Sequence, residues 1–552
     1  MPRGKRKKDE SQLVVGEPDG QLSETPSKLD ISTLETWLWD AACAIRGATD
    51  APKFKDFILP LIFYKRLSDV FDDELAEKVE EFGDEEIARE VIREDHQDAL
   101  QNGRKGIVRF YIPHEYRWDA IRNHPADGTL GQFLTAVMRG DVQQEKPGIT
   151  GLNPDLQGVL DVRDFNERQS GQRVLDDDRL SALIEVISRH RLGLKDVEPD
   201  VLGQAYEYLL RKFAEGQGQS AGEFLTPPEV GWLIAGLIDA EPYSEAYDPT
   251  CGSARLLIKI RLRFEREHPD QLSRRPRLFG QELNPTTYAI AKMNMILHDY
   301  ADARLAIGDT FLNPGLGAYS GLRRFDYVVA NPMWNQDNYT PTFYENDAWK
   351  RFEAGAPPKS SADWGWVQHI FAALKEGGRA AIVLDTGAVS RGSGSKSSNK
   401  EKTIRQAFID HDWIEGVILL PENLFYNTTA PGIILLLHRD KPESRKQQFL
   451  LVNASNYFVK EKPKNRLTDE GIAIASEVYH AWETRDKLSR VVTLDEAKEA
   501  DYNLSPSQFV DVSEKTVHRP IAEILQDLEQ AKQTREKADE ELAAVLAKLG
   551  LK

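Results

Sequence analysis

Downstream of Gly222 short apolar runs alternate with longer stretches in which apolar residues recur every three or four positions. The runs at 245–248, 277–283, 303–308, 325–330, 379–385, 413–420 and 432–438 have the length and composition of strands. Helical spacing fills 254–264, 285–298, 363–375 and 402–411, between most of those runs. This alternation predicts an α/β fold with a doubly wound, mostly parallel sheet of seven strands. The last two runs are joined only by "PENLFYNTTAP", too short for a helical crossover, so they are expected to pair antiparallel. "RGSGSKSSNK", 391–400, reads as a flexible Gly/Ser loop near the carboxyl ends of the strands, either a lid that orders on substrate or a bare mobile loop.

Upstream the pattern is helical throughout. "LDISTLETWLWDAACAIRG", "FKDFILPLIFYKRLSDVFDDELAEKVEEF" and "RLSALIEVISRHRLG" predict an all-α N-terminal domain over 29–200, ahead of an α/β domain over 201–511. Residues 1–28 carry Arg3, Lys5, Arg6, Lys7 and Lys8 and then polar sequence with no apolar period. Such a segment reads as a disordered basic arm, by composition a solvated tail rather than a DNA contact. Residues 512–552 form a charged helical tail. Ile521, Ile524, Leu528, Ala531, Arg535, Ala538, Leu542, Val545 and Leu549 follow the three-and-four spacing of a coiled-coil seam, broken by Arg535. That stripe must be covered by its own chain or by another subunit.

Composition narrows the function classes. The chain of 552 residues has no apolar stretch near the ~20 residues a membrane helix needs and no signal-peptide pattern, so a cytoplasmic location and no membrane contact are expected. Two cysteines, Cys43 and Cys251, exclude a disulfide framework, and the eleven histidines show no ligand spacing, so no metal is expected. A formal charge of −18 means that any DNA binding relies on a local basic patch or on a partner.

Polar residues at the strand ends carry the chemistry. In "AYDPTCGSARLLI" a strand runs through a Gly-containing turn into a helix; Gly252 allows close backbone approach and Ser253 opens the helix N-terminus. Glu282 in "FGQELNP" ends the next strand, where a carboxylate accepts hydrogen bonds from a ribose diol. Asp309 in "IGDTF" ends a third, placed for an adenine amino group. Together they describe a nucleoside pocket, and without a phosphate-binding P-loop motif the candidates are dinucleotides and S-adenosylmethionine. "FDYVVANPMWNQ" decides between them. Hydride transfer has no use for Asn-Pro-x-aromatic at a strand end, whereas methyl transfer to an exocyclic amine does. The Asn331 oxygen and the Pro332 carbonyl would accept the amine's hydrogens and stabilise the positive charge arriving with the methyl group. Trp334 would stack on the extruded base.

In this order "GEFLTPPEV", "DPTCGSARLL", "GQELNP", "IGDTF" and "ANPMW" resemble the gamma-class DNA amino-methyltransferases. With the helical N-terminal domain, "DYNLSPSQFV" and the tail helix, the chain is similar to the modification (M) subunit of Type I restriction-modification systems from about Leu29 onward. The resemblance implies an S-adenosylmethionine-dependent methyltransferase fold and adenine-N6 methylation of double-stranded DNA. It implies that Glu223, Phe224, Leu225, Thr226, Pro227 and Pro228 wrap the methionine part of the cofactor, while Asp248, Gly252, Ser253 and Ala254 line its pocket. Glu282 would hold the ribose, Asp309 would lie near the adenine, and Asn331, Pro332 and Trp334 would serve the target base. The implied partners are a specificity (S) subunit that reads the sequence, a second M subunit and a restriction/translocase (R) subunit. Two positions depart from the family pattern: Ala254 stands where glycine is usual, which tightens the pocket, and Met333 stands where a second proline is usual, which loosens the loop. The rival expectations are a self-sufficient adenine-N6 or cytosine-N4 methyltransferase and a catalytically silent scaffold subunit.

Overall fold

The computed structural model describes residues 29–47, 53–141, 146–160, 163–169, 171–197, 205, 208–209, 226–300, 302–316, 321–425, 428–462, 464–512 and 521–550. The basic arm, most of the segment 200–218 and Glu223, Phe224 and Leu225 lie outside the described residues.

The N-terminal region is helical. Asp30 caps α1 (Ile31–Ala44) by accepting the Thr33 amide. The first half of α2 (Phe54–Phe82) is buried on every side, and Gly83, in the left-handed conformation at φ 76°, ends it. Asp84 then caps α3 (Glu85–Asn102). With α4 (Leu130–Arg139) and α5 (Asp177–Ile187) these helices enclose one apolar core. That core also takes in Ala289, Ile290, Met293, Ile296 and Leu297 from the α/β region, so the two regions share packed side chains.

Among the described residues the central sheet has nine strands. They are β1 (Glu245–Asp248), β2 (Arg277–Glu282), β3 (Arg304–Ile307), β4 (Phe325–Ala330), β5 (Leu374–Asp385), β6 (Ile414–Leu419), β7 (Gly432–His438), β8 (Gln448–Asn453) and β9 (Ser489–Thr493). Their spatial order is β9-β8-β6-β7-β5-β4-β1-β2-β3. All seven expected strands are present, and β8 and β9 extend the sheet at one edge. β7 is antiparallel to both β6 and β5, as its short connection requires, and β9 is antiparallel to β8. Every other pairing is parallel.

Alternate residues of each strand enter different cores. Ala246, Tyr327 and Val329 pack with α6 (Pro228–Ile238), α7 (Arg255–Glu267) and α11 (Asp469–Ala481). Tyr247, Val328 and Ala330 face α9 (Asp363–Ala372) and α10 (Lys400–Asp410). The helix α8 (Pro285–Leu297) joins the first of these layers to the N-terminal core. The tail helix α12 (Ile521–Lys548) buries no residue: Ile521, Ile524, Leu525, Leu528, Leu542 and Val545 all lie exposed. No described segment of the chain covers its apolar stripe. No described helix is long and apolar enough to cross a membrane.

Candidate active site

The sheet order reverses between β1 and β4, and the carboxyl ends of β1, β2 and β4 open beside that crevice, the place where open parallel sheets receive ligands. The turn after β1 folds against the end of β2. The Cys251 amide donates to the Gln281 carbonyl at 2.9 Å, and the Gly252 amide donates to Glu282 Oε2 at 2.9 Å. Gly252 takes φ +53° and has open space where a side chain would begin. Ala254, the N-cap of α7, sits at φ +65°, a left-handed conformation that glycine adopts without strain and alanine does not. The alanine therefore puts strain in the backbone at the start of α7. Ser253 is buried, and its carbonyl accepts the Asn294 side-chain amide at 3.0 Å. Cys251 packs against Gly280 of β2, and burial pushes its thiol well up, which agrees with an inert packing residue.

Asp248, at the end of β1, is 1% exposed. Burial, reinforced by the neighbouring Glu282 charge, pushes its carboxyl up to about 8 against the bonds it accepts from Thr250. Glu282 also accepts the Asn284 amide at 2.8 Å through Oε1. Asp309 is engaged by its own chain. Oδ1 accepts the Phe311 and Leu312 amides, and Oδ2 accepts the Tyr339 hydroxyl at 3.0 Å. The next residue ties this strand end to the first, because the Thr310 hydroxyl donates to the Pro249 carbonyl at 2.6 Å.

Beyond β4 the chain forms the tip 331–334. Asn331 Nδ2 donates to Thr226 Oγ1 at 2.9 Å, across 105 residues of sequence. Thr226 directly precedes Pro227 and Pro228, which begin α6 at its N-cap and first turn. Pro332 is buried, whereas Met333 is 37% exposed. Trp334 is 8% exposed and set into the sheet: its indole N–H donates to the Val383 carbonyl at 3.2 Å, and its ring meets Phe425 edge-on at 4.9 Å. Gly432 makes this seat possible, since a Cβ there would lie 2.6 Å from the Phe425 ring and 3.1 Å from Trp334. Trp334 is thus first a packed wall of the tip.

The structure joins Thr226 to Asn331 at the end of β4, and Gly252 to Glu282 near Asp248 at the ends of the adjacent β1 and β2, with the Asp309 loop tied to the end of β1 through Thr310. It also adds residues that no local motif marks. Arg351, 3% exposed, donates to the Thr310 and Phe311 carbonyls and pairs with Asp347, anchoring the loop that carries Asp309. Asp363, Asp385 and Arg391 hold the residue after the tip. The bonds from Asp363, Asp385 and Arg391 to Asn335 span 28, 50 and 56 residues, so spacing alone gives no signal for them.

Family models match most of the chain: the N-6 DNA Methylase family over residues 197–517 and the HsdM N-terminal domain over residues 34–187. The Type I restriction enzyme MjaVIII methylase subunit of Methanocaldococcus jannaschii is 36% identical over 85% of this chain and 77% of its own. The HindI methylase subunit of Haemophilus influenzae is 31% identical over 76% of this chain and 94% of its own. The crystal structure of a type I restriction-modification methyltransferase subunit from Streptococcus thermophilus superposes with a TM-score of 0.66 at 27% identity, covering 87% of this chain and all of that one.

Proposed function

The chain belongs to the methylase subunits of Type I restriction enzymes and is an adenine-N6-specific DNA methyltransferase, and from that premise we propose how its residues divide the work. The observation that carries the proposal is the hydrogen bond from Asn331 to Thr226, which joins the amine-gripping tip to the segment expected to wrap the methyl donor. Donor and acceptor sites then share a wall.

The pocket fits S-adenosylmethionine. A buried, raised carboxyl such as Asp248 favours a nearby cation, and the open space at Gly252 admits a ligand against the backbone. Thr226, Pro227, Pro228, Asp248, Gly252, Ser253 and Ala254 would hold its methionine end, Glu282 its ribose and Asp309 its adenine. On Asp309, Oδ1 accepts two backbone amides and Oδ2 the Tyr339 hydroxyl, so a ligand amine would share or displace one of these bonds. When bound, the cofactor supplies an electrophilic methyl group on a sulfonium.

The protein's own contribution is electrostatic and geometric. By donating Nδ2 to Thr226, Asn331 fixes its amide plane, and its Oδ1 accepts one hydrogen of the target amine. The Pro332 carbonyl, its direction set by the ring, accepts the other. Both acceptors stabilise the charge that develops on nitrogen, so the tip needs no general base before transfer. Trp334, seated against Phe425, gives the extruded base an apolar wall.

Double-stranded DNA is read through a specificity subunit, with a second methylase subunit and a restriction/translocase subunit in the complex. The acidic charge of −18 and the apolar stripe of α12, which no described segment covers, support a catalytic subunit that takes DNA contacts and assembly surfaces from partners. The test is transfer of labelled methyl to DNA by the chain alone, by the chain with its co-expressed specificity subunit, and by Asn331→Ala in that complex. N6-methyladenine formed only with the partner and lost in the variant is expected. Sequence-specific transfer by the chain alone would refute dependence on the partner, and cofactor binding without transfer would refute the catalytic assignment.

A further inference from the structure

Immediately after the tip, Asn335 takes φ +52°, a left-handed turn that sends the chain back across the carboxyl ends of β4 and β5. Three hydrogen bonds hold this one residue. Its backbone N–H donates to Asp363 Oδ1 at 2.8 Å, its Nδ2 donates to Asp385 Oδ2 at 3.2 Å, and its Oδ1 accepts from Arg391 Nη1 at 2.5 Å.

Arg391 is the hub. Nη2 pairs with Asp363 at 2.7 Å and with Asp385 at 3.3 Å, and Nε faces Glu401 at 3.2 Å. Asp363 is wholly buried and Glu401 is 4% exposed, and burial pushes both carboxyls up from their usual range against the pull of Arg391. One guanidinium thus bridges three carboxylates from three elements: the first turn of α9, the end of β5 and the first turn of α10. A planar fork with five donors suits this geometry, and a point charge such as lysine does not.

Arg391 also opens the Gly/Ser loop 391–400. The loop's start is fixed by Arg405, which donates to the Arg391 carbonyl at 3.0 Å and to Ser393 Oγ at 2.8 Å. Its middle is fixed by the Gly394 amide, which donates to Asp501 at 2.7 Å. A chain of bonds therefore runs from Asp501 and Arg405 through Arg391 to Asn335, adjacent to Trp334.

We infer that Arg391 is a positioning residue for methyl transfer. Through Asn335 it sets the direction in which the tip 331–334 leaves β4, and it couples the conformation of the Gly/Ser loop to the geometry of the amine acceptors. The inference rests on the role proposed above for Asn331 and Pro332. Those acceptors work only when aimed at the amine, and a displacement of about 1 Å at a reacting centre lowers rate by about 100-fold.

The test uses the complex with the specificity subunit and two variants. Asn335→Gly keeps the left-handed backbone at no steric strain and removes both side-chain bonds, so it separates coupling from turn formation. Arg391→Lys keeps a cation among the three carboxylates and removes the fork. Each is expected to lower kcat for methyl transfer about 10- to 100-fold while KM for S-adenosylmethionine stays within about twofold. Unchanged kcat in both variants, with an active wild type, would overturn this inference alone. A parallel loss of kcat, cofactor affinity and thermal stability would reduce Arg391 to a structural brace and overturn it as well. A wild-type complex that transfers no methyl group would overturn the reading of the tip, and this inference with it.

Discussion

Asp248→Asn separates the stability of the fold from its use of the cofactor. In the folded chain the Asp248 carboxyl lies at about 8, against an ordinary value of 3.8, chiefly because burial disfavours the charged form. At pH 7 it is therefore protonated when folded and ionised when unfolded. The folded state binds more protons, so stability from this group is fully present below about pH 4 and is lost as pH rises toward 8. From 3.8 to pH 7 is about 3 units, and at about 1.4 kcal/mol per unit the burial of this one acid destabilises the fold by about 4 kcal/mol. Asparagine has no proton to lose, and its Oδ1 still accepts the Thr250 amide; an unsatisfied amide nitrogen would take back about 1–3 kcal/mol.

The expected result for the ligand-free protein is a melting temperature that rises at pH 7, with a difference from wild type that widens with pH. Calorimetric scans at fixed rate between pH 5 and pH 8 should show the gap opening by about 4 °C or more, at about 2 °C per kcal/mol for a domain of this size. The same substitution should weaken S-adenosylmethionine binding, because a cation beside Asp248 draws the carboxyl back toward ionisation. Titration calorimetry in buffers of different ionisation enthalpy should then find about one proton released per wild-type site at pH 7, and none in the variant. A gap in melting temperature that does not change with pH would refute the argument, since the whole effect is attributed to a protonation difference.

Thr226→Val removes the partner of Asn331 Nδ2 without changing side-chain size, and should lower kcat about tenfold in the methyl-transfer assay with the cofactor still bound. Ala254→Gly relieves the left-handed alanine at φ +65° and should leave stability level or raise it by up to about 1 kcal/mol in denaturant titration, the strain relief being partly offset by glycine's chain entropy. Gly432→Ala places a methyl 2.6 Å from the Phe425 ring and should destabilise by about 1–3 kcal/mol while reducing methylation, because Trp334 shares that seat. Deletion of residues after Val512 should leave cofactor affinity intact and abolish capture of the specificity subunit in a pull-down; unchanged capture would remove the assembly role of α12.

Periodicity makes the frame of the α/β layer legible. Phe325–Ala330 is read to the residue because an apolar run bounded by a polar start and a proline leaves little freedom. The antiparallel β7 follows from connection length alone. β5 begins at Leu374 rather than near 379 because "KEGG" is polar and glycine-rich, yet it still lies beside β4 across a register irregularity. β8 and β9 escape notice for different reasons: no helical crossover precedes β8, whose "QFLLVN" follows β7 in sequence yet pairs with β6, and β9, behind α11, is a short strand at the sheet edge. That no described segment covers α12 is a tertiary outcome that a heptad pattern leaves open.

At the site, motif order names the residues, but their partners change what some of them do. Asp309 is expected at an adenine, and its second oxygen already takes the Tyr339 hydroxyl, so a ligand amine must share or displace that bond. Trp334 is expected on the face of a base, and its indole is first a part of the apolar core, held by Val383 and fitted over Gly432. Arg391 is furthest from its sequence appearance. It stands at the head of a run of glycines and serines that reads as mobile, yet its guanidinium joins carboxylates at 363, 385 and 401 to Asn335. Each of those acids, taken singly in sequence, reads as a helix-start or strand-end residue. Their meaning comes from convergence on one cation, and convergence is a property of the sheet order that brings the end of β5 beside the end of β4. The proposed amine-gripping tip is therefore a local motif held in place by charges the chain assembles only after it has folded.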